Sequence, residues 1–182
     1  GVNELCFGES TTLTASGGSS YLWSNGATTS SITVGPTTTT TFSVTVTDDK
    51  GCIASTSETV IVNPLPTPSI TGDNELCFGE STSLAASGGS SYVWSNGSTT
   101  SSITVSPTTT TTYSVTVTDD KGCIVSTSET VIVNPLPVPS ITGDNEICFG
   151  ESTTLTASGG SIYVWSNGST TSSITVSPTT TT

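Results

Sequence analysis

Five cysteines, fourteen carboxylates and two lysines, with no histidine, are the reactive side chains of this 182-residue chain. Cys6, Cys77 and Cys148 recur inside the motif N-E-[L/I]-C-F-G-E-S, 71 residues apart, while Cys52 and Cys123 each close the motif D-D-K-G-C. A nucleophilic cysteine needs a base to make its thiolate, and no imidazole is there to serve. A zinc site would have to be assembled from thiolates and carboxylates alone. Two states remain: five reduced thiols in a cytosolic protein, or disulfides formed in an oxidising compartment. Cys6 precedes Cys52 by 46 residues, and Cys77 precedes Cys123 by the same distance. The simplest pairing is therefore one internal disulfide per repeat, Cys6–Cys52 and Cys77–Cys123, each stabilising by roughly 4 kcal/mol through loop closure. Cys148 is expected to find its partner at the corresponding position past Thr182.

The carboxylates offer a second chemistry. If each repeat holds an odd number of strands, its ends lie at opposite poles and the D-D-K-G turn returns to the pole where the repeat begins. Asp119 and Asp120 would then gather with Asp73 and Glu75, a set of hard oxygen donors suited to calcium. The bland alternative is a solvated turn that uses Asp and Gly for backbone reasons. No EF-hand spacing supports the metal. Acid–base catalysis would fall to carboxylates in turns, with nothing to raise a pKa, so no enzymatic activity and no catalytic residue are expected.

These residues sit in a tandem array. The first two copies differ only at Val2/Asp73, Thr12/Ser83, Thr14/Ala85, Leu22/Val93, Ala27/Ser98, Gly35/Ser106, Phe42/Tyr113, Ala54/Val125 and Thr67/Val138. A fixed period of this kind is the mark of a repeat architecture. The expected domains are residues 1–66, 67–137 and an incomplete 138–182, which stops before the counterparts of the last two strands. There is no starting Met and no signal peptide, so an excerpt of a longer protein is expected.

What positions the reactive residues is β structure. Alternation of β-branched and aromatic residues, cut by Gly, Asn and Pro, recurs without any helical period. In the first repeat Ile32 and Val34 share one face of S-S-I-T-V, and Phe42, Val44 and Val46 share one face of F-S-V-T-V-T-D. Asn25-Gly26 suits a tight hairpin. Six or seven such strands fit a small Greek-key sandwich. Trp23, Trp94 and Trp165 are expected in its core, since large aromatics dominate small cores. The competing reading makes Tyr21 and Trp23, on one strand face, a stacking platform for sugar. Asn63-Pro64-Leu65-Pro66-Thr67-Pro68 and its copy Asn134–Pro139 read as semi-rigid spacers.

The net charge of -12 argues strongly against a nucleic-acid partner, whose phosphates require Lys and Arg. It equally disfavours an anionic membrane surface, and no apolar run is long enough to insert in a bilayer. The abundance of Ser, Thr and Gly points to a neutral, hydroxyl-rich surface of secreted character. The threonine runs read either as sites for O-linked glycans or as strands with a hydroxylated outer face. Asn96-Gly97-Ser98 and Asn167-Gly168-Ser169 match the glycosylation sequon, although the turn itself already accounts for the asparagine.

The stretch Tyr21 to Pro64 resembles the Ig-like and PKD-like repeats of giant Bacteroidetes cell-surface adhesins, including the SprB-type gliding-motility adhesin. The matching positions are Trp23–Gly26 with Phe42–Cys52, Trp94–Gly97 with Tyr113–Cys123, and Trp165–Gly168 alone in the third copy. The five threonines Thr37–Thr41 stand where such repeats usually have a glycine-rich approach. The resemblance implies an all-β array of Greek-key sandwiches, joined end to end and exported by the type IX route. Its place would be the cell surface, as a structural or adhesive module whose partners are further copies of itself and a surface or polysaccharide ligand. Two rivals stand beside it: a carbohydrate-binding array gaining from avidity, and a filament in which chains complete one another's sandwiches.

Overall fold

The computed structural model describes residues 3–181 and is all-β, with no helix among them. Gly1, Val2 and Thr182, at the outer limits of the first and third expected domains, lie outside the described residues. The chain divides into two compact units, Gly1–Val133 and Asn134–Thr182. The first two sequence repeats fall within one unit, and each has its own hydrophobic core.

In the first repeat the strands are β1 (Glu4–Cys6), β2 (Thr11–Thr14), β3 (Ser20–Trp23), β4 (Ser31–Val34), β5 (Thr40–Thr47) and β6 (Ile53–Asn63). They form a four-stranded sheet in the order β1-β6-β5-β3 and a two-stranded sheet β2-β4. Alternation puts Leu5, Leu13, Trp23, Ile32, Val34, Val44 and Val60 into one core shared by both sheets. The threonines and serines between them face outward, where Thr41 meets Thr59 at 2.8 Å and Thr45 meets Ser55 at 3.1 Å. Such cross-strand hydroxyl pairs are a means of stabilising a solvated sheet face.

The second repeat has seven strands: β7 (Ser69–Thr71), β8 (Glu75–Cys77), β9 (Thr82–Ser87), β10 (Ser91–Trp94), β11 (Ser102–Val105), β12 (Thr111–Thr118) and β13 (Ile124–Asn134). Its sheets run β10-β12-β13-β8 and β11-β9-β7, an order consistent with an Ig-like sandwich. A separate core holds Leu76, Leu84, Trp94, Ile103, Val105, Val115, Val117 and Val131. The segment 64–68, rich in proline, carries no strand between β6 and β7.

In the third repeat β14 (Ser140–Thr142), β15 (Thr153–Ser158) and β16 (Ser173–Val176) make one three-stranded sheet. Leu155, Trp165 and Ile174 are only half-buried there. Trp165 thus departs from the expected core position. Among the described residues no strand corresponds to β12 or β13, the pair that covers Trp94.

One local expectation also changes. The turn at Asn25-Gly26 closes as expected: Gly26 has φ +86°, and the Trp23 N–H donates to the Ala27 carbonyl at 2.8 Å. It does not make a hairpin, however, because β3 pairs with β5 and β4 pairs with β2. The chain uses this turn to cross from one sheet to the other.

Candidate functional site

The short strand β1 runs parallel to β6, with Glu4 opposite Ile61, Leu5 opposite Val62 and Cys6 opposite Asn63. Polar side chains fix this register. Asn3 donates to the Glu58 carboxylate, and Asn63 Nδ2 donates to Glu4 Oε2 at 3.3 Å. Both partners come from the N-E that opens the repeated motif. The rest of the motif is a turn that holds the cysteine. The Cys6 N–H donates to Glu9 Oε2 at 2.9 Å, and the Glu9 N–H donates back to the Cys6 carbonyl at 3.0 Å. This reciprocal i, i+3 pairing resembles the logic of a helix capping box. It recurs between Cys77 and Glu80 at 2.8 Å and between Cys148 and Glu151 at 3.2 Å.

The D-D-K-G-C motif builds the other kind of cysteine. Asp119 Oδ1 accepts from the N–H of Lys121 at 2.8 Å and of Cys123 at 2.9 Å. Gly122 supplies the left-handed φ of +84° that the turn requires. Asp48 holds Lys50 and Cys52 in the same way, at 2.9 and 2.8 Å. These aspartates are therefore backbone ligands of their own turn.

The expected pairings Cys6–Cys52 and Cys77–Cys123 are both overturned. Cys6 is bonded to Cys123, 117 residues away, with a Cα–Cα separation of 5.5 Å. Strand direction explains this. Cys6 lies beside Asn63 at the end of β6, whereas Cys52 lies just before its start. Eleven residues of strand separate the two positions, about 36 Å at the usual rise, far beyond what a disulfide spans. The same arrangement holds in the second repeat, where β8 lies beside β13 and the Ile132 N–H donates to the Asn74 carbonyl. Cys77 is thus at the far end of the strand that Cys123 precedes. Cys52, Cys77 and Cys148 are free and exposed.

The disulfide clasps the end of one repeat to the turn of the next. Cys123 is wholly buried. Phe7, Glu9, Leu65, Gly122 and Ile124 border a shallow depression beside the bond, so the linker residue Leu65 takes part in the seam.

The calcium expectation fails on the same geometry. Glu75 and Asp73 flank Asn74, which is tied to Ile132, while Asp119 and Asp120 precede Ile124 at the other end of β13. Among the described residues no three or more His, Cys, Asp or Glu side chains come together as a metal site.

Trp23 and Trp94 do lie in the cores, 5% and 2% exposed, with each indole N–H donating at 2.9 Å to a carbonyl, that of Thr29 or Thr100. A sugar platform on these rings is excluded, since no stacking face is open. The sequence reading missed Glu9 and Glu80 as holders of the cysteine; the C-x-x-E spacing was the available signal.

No family model matches the chain, and no curated protein matches it. Among solved structures, it is similar to the three N-terminal domains of the highly immunogenic outer capsid protein of bacteriophage RB49, at 20% identity and a TM-score of 0.39. The match covers 86% of this chain and 65% of that one.

Proposed function

We propose that this chain is a structural and adhesive repeat module of a long extracellular cell-surface protein, of the kind seen in the stalks of Bacteroidetes adhesins. In this reading Ig-like sandwiches are strung end to end, the proline segments act as struts, and each repeat is clasped to the next. The observation that carries it is the Cys6–Cys123 bond between consecutive repeats. Such a bond serves strength. A pull on the chain ends passes from Cys6 directly to Cys123, so the residues between them carry no load until the bond is cut. The hydroxylated, acidic surface suits life outside the cell, where disulfides persist. No reaction is assigned to the chain, and its partners in this reading are further repeats together with a surface or polysaccharide ligand.

The test is accessibility on intact source cells. A protease unable to cross the envelope should degrade the chain, and the Cys6–Cys123 peptide should be recovered oxidised. Protection of the chain together with reduced Cys6 and Cys123 would overturn the reading.

A filament of mutually completed sandwiches is the second reading. Native mass measurement separates it from a continuous array: completion between chains without covalent bonds gives multimers that survive reducing agent.

A further inference from the structure

Asn25-Gly26, Asn96-Gly97 and Asn167-Gly168 occupy the same turn of each repeat. The glycosylation sequon read at two of them is absent from the first, where Ala27 replaces serine, so it does not explain the shared pair. Asn-Gly carries a chemistry of its own. The glycine amide nitrogen can attack the side-chain carbonyl carbon of the asparagine, and no Cβ obstructs it. All three asparagines are exposed, yet the turn keeps both reacting groups occupied. The Gly26 N–H donates to the Trp23 carbonyl at 2.9 Å, and Asn25 Oδ1 accepts from the Ala27 N–H at 3.1 Å. Gly97 and Asn96 are held in the same way, at 2.9 and 3.0 Å, as are Gly168 and Asn167.

In the first two repeats this turn is fastened to the body of the sandwich. The Trp23 indole is buried and donates to the Thr29 carbonyl, beyond the turn, at 2.9 Å. The Ser24 N–H donates to the Ser43 carbonyl of β5 at 2.8 Å, and the Ser43 N–H donates back to Ser24 Oγ at 3.2 Å. Trp94, Ser95 and Ser114 of β12 repeat these contacts, with Thr100 accepting from the indole. Freeing the glycine nitrogen thus requires lifting the turn from β5 or β12 and unseating the tryptophan. That is an opening of the sandwich and not of a loop alone.

We propose that Asn25 and Asn96 are fold-gated deamidation sites, silent in the closed sandwich and converted irreversibly when a repeat opens. In the open chain the glycine nitrogen loses its proton to solvent and attacks the asparagine Cγ. The side-chain nitrogen leaves as ammonia, and a five-membered succinimide closes. Water then adds to one of its two carbonyls, giving aspartate or isoaspartate. One water is consumed, one ammonia is released, and no oxidant takes part. Aspartate can resume the turn, since a carboxylate oxygen accepts the N–H two residues on, as Asp48 accepts that of Lys50. Isoaspartate lengthens the backbone by a methylene, which the short loop closed by the Trp23 N–H and the Ala27 carbonyl cannot absorb. A repeat held open long enough is thereby kept from closing fully again. The inference goes beyond the stalk reading and rests on the turn alone.

The test uses the purified full chain with its Cys6–Cys123 bond intact, held in mildly alkaline buffer with and without unfolding urea. Peptide mapping counts aspartate and isoaspartate at each site. Conversion at Asn25 and Asn96 should be at least about tenfold slower in the folded chain than in urea. Trp94→Phe keeps a ring in the core but removes the indole donor. It should speed conversion at Asn96 about fivefold, the worth of one hydrogen bond, with Asn25 unchanged as the internal reference. Equal rates in folded and unfolded chain would overturn the proposal. So would a Trp94→Phe chain in which Asn96 converts no faster, or in which both sites speed up alike. Because the assay uses purified chain in vitro, its failure is distinct from a failure to find the protein outside the cell.

Discussion

Cys6 stands opposite Asn63 in the parallel pairing of β1 with β6, and this register decides which cysteine it can reach. The end of β6 is the far pole of the first repeat, so Cys6 faces the next repeat. Had β1 lain beside the start of β6, the internal bond to Cys52 would have been open to it.

The clasp makes a mechanical prediction. Stretching single molecules by their ends should show a shorter maximum extension in the oxidised form. Reduction frees the segment between the cysteines, which are 117 positions apart, and at full extension this adds about 400 Å. Chemical unfolding should follow, with the bond contributing roughly 5 kcal/mol in the chain-entropy treatment of a loop that long. An extension unchanged by reductant contradicts the inter-repeat bond.

Asp119→Ala removes the acceptor for two backbone N–H groups, those of Lys121 and Cys123. The cost should be about 1–2 kcal/mol, typical of a lost side-chain cap. Reoxidation of Cys6 with Cys123 should also slow, because the turn no longer presents its cysteine in place. Denaturant titration and timed thiol quenching measure the two effects, and Asp120→Ala is the control expected to do neither.

Trp94→Ala empties the centre of the second core and should cost about 3–5 kcal/mol. Trp165→Ala, the same change at the equivalent place in the third repeat, should cost much less, because Trp165 is half-buried while Trp94 is 2% exposed. Thermal melts of the two variants in parallel decide the matter; equal losses would show that the third repeat buries its tryptophan after all.

Excess calcium or a chelator should leave the melting temperature unchanged. Asp119 precedes the start of β13, whereas Glu75 lies on β8 next to Asn74, which is tied to Ile132 near the other end of β13, so their carboxylates cannot share an ion. A rise of several degrees with calcium would require a site built from other residues.

Much of each repeat was legible in the sequence. Strict alternation placed Ile32, Val34 and Val44 inward, and the structure buries all three. The Trp23 and Trp94 positions followed from size and hydrophobicity, and the outward hydroxyls followed from the same period of two. The D-D-K-G-C turn was readable because Asp and Gly there satisfy local backbone demands, which depend on near neighbours only.

Neither the sheet to which each strand belongs nor the partner of each cysteine could be read in this way. A spacing of 46 residues says how long a loop is, but not where in space its ends lie. Cys6 and Cys52 are near in sequence yet a strand length apart, because a three-residue strand pairs beside the end of β6 and not beside its start. That choice depends on contacts such as those of Asn3 with Glu58 and Asn63 with Glu4, made between residues 55 and 59 positions apart. By itself the sequence determined a β fold with two kinds of cysteine. Only the tertiary structure decided that they join neighbours, since strand direction and register are set by long-range pairing.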